Sequence, residues 1–207
     1  MASTAGTLSE ALIASMAAGL LDEYHITSLD DDTDLGRFMA REFGTVRREV
    51  LESYPWRRAR KRAVLTESGS APAFGWEAQY QLPSDCLRIW RLSRDGEFNG
   101  TPIPHEIEGS MLLCDVESEL YVIYIFDQTA VGTWTALMGR VLACKLAMYA
   151  AQRVTGKASY VEKTANAYRA AMYEATHADA LAQGSAENTY DSGFLGLDSM
   201  TSRGVYR

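Results

Sequence analysis

The positions of the prolines constrain the fold of this chain more than any other feature of its sequence. All five lie in one stretch near the middle: Pro55, Pro72, Pro83, Pro102 and Pro104. Proline interrupts helices because it lacks a backbone N–H and its ring clashes with the preceding turn. The stretch that holds the prolines is therefore predicted to form strands and loops, while the segments before and after it are open to helix formation.

Apolar periodicity predicts two helices before the prolines. The first begins near Thr7, because residues 7–10 (TLSE) form a capping-box pattern. Its apolar stripe repeats every four residues and consists of Leu8, Leu12, Met16, Leu20 and Tyr24, with Ile13 beside them. The second helix is predicted over 32–54, and Pro55 ends it by biasing the preceding residue away from the α region. The acidic residues in the segment 30–34 favour the positive end of this helix's dipole.

Six short strands are predicted in the middle section and two helices after it. The strands are 63–66, 76–81, 87–93, 103–107, 111–114 and 120–126, of which the last is rich in aromatic and β-branched residues. Residues 94–96 are typical of a hairpin turn. The third helix is predicted over 129–154 with Gly156 as its C-cap, and the fourth over 159–181 with Gly184 closing it.

These elements predict an α+β fold: a mainly α-helical bundle of about four helices with an inserted small antiparallel β subdomain and an extended C-terminal arm. The bundle comprises residues 1–56 and 128–183, the β subdomain residues 57–127, and the arm residues 184–207. Eight of the 24 arm residues are Gly or Ser. The arm nevertheless carries six larger apolar side chains, which favour a segment that becomes ordered on another surface: Phe194, Leu195, Leu197, Met200, Val205 and Tyr206. The alternative is a solvated terminus.

Composition and charge narrow the class of protein. Of the 207 residues, 47% are hydrophobic, which suits one folded domain of ordinary size. The sequence has no run of about 18 apolar residues and no signal-peptide pattern at its N-terminus, so we expect no membrane association. The formal net charge of −7 disfavours tight, non-specific DNA binding. The three cysteines, Cys86, Cys114 and Cys144, lack metal-binding spacing and are predicted to be buried thiols.

The sequence offers no recognisable catalytic, cofactor-binding or metal-binding site. His25, His105 and His177 have no second His or Cys at metal-ligand spacing. The acidic segment 30–34 fails the EF-hand pattern, because Leu35 and Arg41 stand where Gly and Glu are required. No nucleophile-elbow, nucleotide-binding or metalloprotease motif is present. We therefore expect a chain without enzymatic activity, and the alternative is a small hydrolase with an unrecognised site.

A dense basic run follows the second helix and comprises Arg57, Arg58, Arg60, Lys61 and Arg62. Nine of the chain's 20 Lys and Arg residues lie between residues 37 and 62. One interpretation is a patch for an acidic partner or for a DNA backbone that passes nearby. The other is salt bridging to the acidic excess elsewhere, including that of neighbouring subunits. Trp56, which precedes the run, is predicted to be a core residue rather than a platform for base stacking.

Three segments, in this order, resemble the head-to-tail adaptor proteins of tailed bacteriophages, the family often called tail tubular protein A. They are residues 26–32 (ITSLDDD), residues 54–56 (YPW) and residues 74–88 (FGWEAQYQLPSDCLR). The resemblance extends in order over about residues 8–180. The same residues determine the fold locally, because Pro55 stops a helix and residues 81–85 turn one strand toward the next.

The resemblance implies a structural protein that forms a homo-oligomeric ring, commonly dodecameric, under the portal protein at the head vertex. The helices would surround a DNA channel, the β subdomain would face outward or toward tail proteins such as the nozzle, and the arm would dock on the portal. A ring of acidic subunits would repel the phosphates of double-stranded DNA during its transient passage. The chain would act in the virion after assembly in the host cytoplasm.

The competing hypothesis comes from another class of protein. It is a monomeric helical binding or regulatory module that uses the basic run of residues 57–62 on an acidic partner.

Overall fold

The computed structural model describes residues 7–23, 26–29, 32–98 and 100–182. Within them the chain forms four α-helices and two three-stranded antiparallel sheets, so the predicted α+β fold is confirmed. The predicted arm at 184–207 lies outside the described residues. In chain order the elements are α1 (Glu10–Leu20), α2 (Asp34–Ser53), β1 (Arg60–Leu65), β2 (Ala78–Gln81), β3 (Cys86–Ser93), β4 (Glu106–Glu108), β5 (Met111–Cys114), β6 (Leu120–Phe126), α3 (Ala136–Thr155) and α4 (Ala158–Leu181).

Hydroxyl side chains set the beginnings of the first three helices. Each cap oxygen accepts a hydrogen bond from the backbone amide three residues further on, and the caps are Ser9, Thr33 and Thr135. The predicted start of α1 at Thr7 is wrong, because Ser9 caps the helix through the amide of Leu12 at 3.1 Å. Helix α3 begins later than predicted because a 3₁₀ turn, Val131–Thr133, precedes its cap. Gly156 is the predicted C-cap of α3, with a φ of +61° that suits a residue without Cβ.

Helix α3 is the centre of the bundle and packs against α1, α2 and α4. The buried face of α1 is shifted from the predicted stripe toward Ile13, which is buried, while Leu8, Met16 and Leu20 are only partly buried. Leu12 is 43% exposed, whereas a neighbouring face is buried and consists of Ile13, Ala14, Ala17 and Ala18. The small alanines let α1 approach α3 closely, and tight contact between backbones then favours that face over the larger side chains beside it.

The insertion consists of two sheets around a second hydrophobic core. Sheet A has the strand order β1-β6-β3, and sheet B has the order β2-β5-β4. Both sheets contribute to the core: Leu65 and Val122 from sheet A, and Tyr80 and Leu112 from sheet B. The opposite face of sheet A reaches the bundle, because Ile125 is buried in the bundle's own core. The insertion is therefore a two-layer unit that contacts the helices through sheet A.

The predicted hairpin at residues 94–96 is wrong. Strand β3 pairs with β6 and β4 pairs with β5, so this turn ends a strand without joining it to a neighbour. Its geometry is local, since the Asp95 carboxylate accepts hydrogen bonds from Ser93 Oγ at 2.7 Å and from the Glu97 amide at 2.9 Å. The hairpin of this region instead joins β4 to β5 at Gly109, which has a φ of +58°.

The three cysteines are free thiols. Cys114 and Cys144 are buried as predicted, whereas Cys86 is half-buried. Burial raises the pKa of each thiol, to about 11 for Cys86, so the protonated form prevails at neutral pH. Among the described residues, the helices are too short or too polar for any of them to cross a membrane.

Candidate interaction surface

Trp56 anchors the junction between the bundle and the insertion. Tyr54 has the extended backbone that a following proline imposes, and α2 ends there. The indole of Trp56 is fully buried, as predicted, and its Nε1–H donates to the Val50 carbonyl at 2.7 Å. Its ring meets that of Tyr54 edge-on with the centroids 4.9 Å apart. The basic run therefore begins directly after a residue whose side chain is fully buried and hydrogen-bonded.

Asp127 ties the end of the insertion to α2. Its carboxylate accepts hydrogen bonds from Arg47 Nη2 at 2.6 Å and from Arg48 Nε at 2.9 Å. Burial raises the pKa of Asp127, but the hydrogen bonds and charges of the two arginines outweigh burial, so the net shift is downward. Its backbone amide also donates to the Asp85 carbonyl at 2.8 Å. Asp127 therefore links α2 to the end of sheet A where β3 begins and β6 ends.

The segment 80–88, which carries the strongest part of the family resemblance, holds the insertion together and attaches it to the bundle. The buried Tyr80 hydroxyl donates to the Ser118 carbonyl at 2.8 Å. Asp85 accepts from Lys61 Nζ at 2.6 Å and from the Tyr124 hydroxyl at 3.1 Å. The hydrogen bond from Lys61 is the main reason that the pKa of Asp85 is lowered. At the end of the segment, Arg88 Nη1 donates to the carbonyl of Glu52 at 3.1 Å.

The structure divides the basic run between three surroundings. Arg57 and Arg58 face the end of α4 and, with Asp179, line an open cavity of about 440 Å³. Burial raises the pKa of Asp179 and outweighs the hydrogen bond from the Arg57 amide and the nearby arginine charges. Lys61 points to the other side of β1 and pairs with Asp85. The interpretation as internal salt bridging therefore holds for Lys61.

Arg60 and Arg62 lie on the face of sheet A that is turned away from the insertion core, beside the part around Ile125 that packs on the bundle, and strand pairing adds Arg88 and Arg91 to them. Arg60 and Arg88 both lie opposite Ile125, and Arg62 and Arg91 both lie opposite Ile123. We call this surface the basic-aromatic face, and it consists of Arg60, Arg62, Arg88, Trp90, Arg91 and Phe98. Arg88, Trp90 and Arg91 are neighbours in the sequence, but only the pairing of β1 and β3 with the same strand brings them beside Arg60 and Arg62, and Phe98 joins them from the loop after β3.

Cations and aromatic rings are stacked on the basic-aromatic face. The guanidinium carbon of Arg60 lies 3.5 Å from the centroid of the Trp90 ring, and that of Arg91 lies 4.2 Å from it. Arg62 lies 5.6 Å from the Phe98 centroid. In the part of the chain that the structure describes, no carboxylate is within the 4.0 Å ion-pair distance of Arg62 or Arg91. The face therefore presents positive charge on a partly apolar surface, which suits a flat acidic partner.

The other residues considered in the sequence contribute no site. Within the described ranges, no group of three or more His, Cys, Asp or Glu side chains could hold a metal ion. His105 and His177 are exposed, and His177 stacks on Tyr173. His25, Asp30 and Asp31 lie outside the described residues, as do the six apolar side chains of the arm: Phe194, Leu195, Leu197, Met200, Val205 and Tyr206.

A scan against protein-family models finds no matching family, and a search of curated proteins finds no match.

Proposed function

We propose that this chain is a structural head-to-tail adaptor of a tailed bacteriophage. It forms a ring under the portal protein, extends the DNA channel and provides the attachment site for the tail. In this proposal it is not an enzyme, it uses no cofactor, and it acts at the head–tail interface of the virion after assembly in the host cytoplasm. The proposal rests on the resemblance of residues 26–32, 54–56 and 74–88 to that family.

The observation that best supports the proposal is where the two most telling segments lie. Trp56 is the buried anchor at the end of α2, and Leu87 packs against the bundle core. Arg88, the last residue of the resemblance, donates to the carbonyl of Glu52 in α2. Both segments therefore lie at the same junction, where they contact the end of α2. Such contacts between helices and insertion suit a protein that joins two particles.

The arm has its own role in the proposal. Residues 184–207 dock on the portal protein through their six apolar side chains, which would otherwise remain in water. In this proposal the segment becomes ordered on the surface of the portal, as other segments that fold on binding do on their partners.

A second candidate is the monomeric binding module with an acidic partner. The basic-aromatic face favours it, because Arg62 and Arg91 make no ion pair within the described residues while both contact aromatic rings. The two candidates differ in what binds: a portal ring with many copies of the chain, or one acidic partner with one copy.

Native mass spectrometry of the full chain, alone and mixed with the portal ring encoded in the same genome, tests the proposal. We expect a complex with one copy of this chain for each portal subunit. A monomer alone does not contradict the proposal, because some rings assemble only on a template. A chain that stays monomeric in both samples contradicts the adaptor function and leaves the binding module.

A further inference from the structure

The insertion carries opposite charges in two consecutive parts of the sequence. Residues 57–94 contain eight Lys or Arg and three Asp or Glu. Residues 95–139 contain eight Asp or Glu and no Lys or Arg. The basic part includes β1 and β3 of sheet A, and the acidic part includes β4 and β5 of sheet B. Among the six strands only β1, β3 and β4 carry charged side chains, so the charged strands of sheet A are basic and the one charged strand of sheet B is acidic.

The two sheets turn their charged faces in opposite directions. Their inner faces meet in one core, in which Val122 and Tyr124 of sheet A join Tyr80 and Leu112 of sheet B. The basic-aromatic face is the part of sheet A's other face that lies beside the region around Ile125, where the sheet packs on the bundle. On sheet B, Glu106 pairs with Leu113 and so lies on the face opposite to Leu112. One side of the insertion is therefore basic and the other acidic.

Four exposed carboxylates form what we call the acidic face: Glu77, Glu106, Glu108 and Asp115. Local hydrogen bonds connect three of them. The indole of Trp76 donates to Glu106 at 3.1 Å, and the amide of Glu77 donates to Asp115 at 3.3 Å. Within the described residues, none of the four forms a salt bridge with a Lys or Arg. The acidic face therefore carries negative charge that is not neutralised there, together with an aromatic ring.

We infer that the basic-aromatic face of one copy docks on the acidic face of a second copy. This inference rests on the proposed function, because it supplies the contact by which the ring would form. Each face repels a copy of itself and attracts the other, so charge complementarity favours a head-to-tail contact over a two-fold symmetric one. A contact between two different surface patches is heterologous, and it closes into a ring when the rotation between copies permits.

A second copy accounts for more of the surface than other partners do. Double-stranded DNA or an acidic tail protein would cover the basic-aromatic face but would leave the acidic face exposed and unneutralised. A contact between two copies uses the basic-aromatic face of one copy and the acidic face of the other, so a ring of copies covers both faces of each. The aromatic rings, Trp90 and Phe98 on one face and Trp76 on the other, add apolar area that becomes buried, and aromatic and Arg side chains are enriched at protein interfaces.

Two charge-reversal variants of the full chain test the contact. R62E/R91E reverses two of the four arginines of the basic-aromatic face, and E106K/E108K reverses two of the four carboxylates of the acidic face, so each variant removes the formal net charge of one face. We expect each variant alone to self-associate at least tenfold more weakly than the wild type in sedimentation velocity at low ionic strength. An equimolar mixture of the two should recover association, because in an alternating assembly the two altered faces meet each other with opposite charges at the substituted positions, and the two unaltered faces meet as in the wild type. A single chain that carries all four substitutions should also recover it.

The matched control for R62E/R91E is R153E/R169E. It changes the net charge by the same amount, at exposed positions of α3 and α4. It should associate like the wild type, and circular dichroism should show that every variant is folded. Raising the salt concentration should weaken the wild-type association, since exposed charges are screened within about 10 Å at 0.1 M salt.

Three results would overturn the inference: R62E/R91E associating like the wild type, a mixture no stronger than its components, or a wild type that fails to self-associate at any concentration reached. If R62E/R91E no longer binds a 20-base-pair DNA duplex that the wild type binds, but self-associates like the wild type, the basic-aromatic face is instead a nucleic-acid site. The adaptor function is judged separately by the portal. If R62E/R91E joins the portal ring at the same copy number as the wild type, the docking inference fails and the adaptor function stands.

Discussion

At the scale of single residues, the junction between the helices and the insertion depends on Asp127. Arg47 is buried in α2, and a buried guanidinium needs a counter-charge. The Asp127 carboxylate supplies that charge and shares it with the more exposed Arg48. Asp179 has the opposite character, because burial raises its pKa despite the arginines nearby. Ionisation of Asp127 therefore stabilises the fold, whereas ionisation of Asp179 destabilises it, so the two groups change stability in opposite directions as the pH rises.

We expect Asp127→Asn to lower the free energy of unfolding by about 1.5–3 kcal/mol at pH 7, the usual range for hydrogen bonds to charged groups. An unfolded Asp titrates near pH 3.9, and the pKa of folded Asp127 is lower. The ionised group therefore stabilises the fold above that pH, and its contribution is lost as the pH falls through the folded pKa. Urea unfolding at several pH values should show the difference from the wild type shrinking in acid.

The matched control for this prediction is Asp179→Asn. Because the pKa of folded Asp179 is raised, its ionisation costs stability at neutral pH, so removing the charge should be neutral or stabilising there. Equal destabilisation by the two substitutions would contradict the assignment of Asp127 as the counter-charge of Arg47.

Trp56→Ala should destabilise the protein by about 3–5 kcal/mol, as other large-to-small changes in protein cores do. The substitution empties a fully buried site and leaves the Val50 carbonyl without its indole donor. The half-buried Trp90 is the matched control, and Trp90→Ala should cost clearly less. Chemical denaturation of both variants gives the comparison, and a Trp56 variant as stable as the wild type would contradict a core position.

At the scale of elements, the helix ends could be predicted from local chemistry, whereas the choice of buried face could not. Ser9, Thr33 and Thr135 cap helices because a hydroxyl can reach the amide three residues on. The periodicity in α1 predicted burial of Leu12, but that face is partly exposed. Which face of an amphipathic helix is buried depends on the partner helix, and a partner is not encoded in the local pattern.

Two glycines in helical regions should respond to alanine in opposite ways. Gly44 lies inside α2, and an added Cβ meets no atom within 4 Å, so Gly44→Ala should stabilise by about 0.5–1 kcal/mol through helix propensity. Gly156 has a φ of +61° at the end of α3, so Gly156→Ala should destabilise by about 1–2 kcal/mol. Thermal unfolding of the two variants measures both effects. A gain in stability for Gly156→Ala would show that this backbone is not held in the left-handed region.

At the scale of the whole molecule, the two hydrophobic cores give the bundle and the insertion separate support. The bundle core extends from Leu8 to Ala175 along the chain, and the insertion has its own core between the sheets. Asp127, Trp56 and Arg88 join the two units. The electrostatic asymmetry of the insertion emerges only at this scale, because it requires both sheets to be folded against each other.

Removal of residues 184–207 should leave a folded protein that no longer joins phage heads. The two cores described above retain all their residues in the truncated chain, so its thermal unfolding should match that of the full chain. Incorporation into particles measures the loss of docking, and a full-length variant with Ser at the six apolar arm positions serves as the control for chain length. A truncated chain that still enters particles would contradict the docking role of the arm.

The sequence by itself determined the types of the elements and several of their ends. The prolines excluded helices from the middle section, and Gly156, which has no Cβ, ended α3. Both effects act between neighbours in the chain, so the sequence alone reveals them. Only the tertiary structure decided which strands pair. Arg62 and Arg91 are far apart in sequence, yet both lie opposite Ile123 on the central strand of sheet A. Strand pairing joins distant segments through backbone hydrogen bonds that nearly every residue type can make, so the local sequence does not reveal the partner strand. The basic-aromatic face therefore exists only once that pairing is formed.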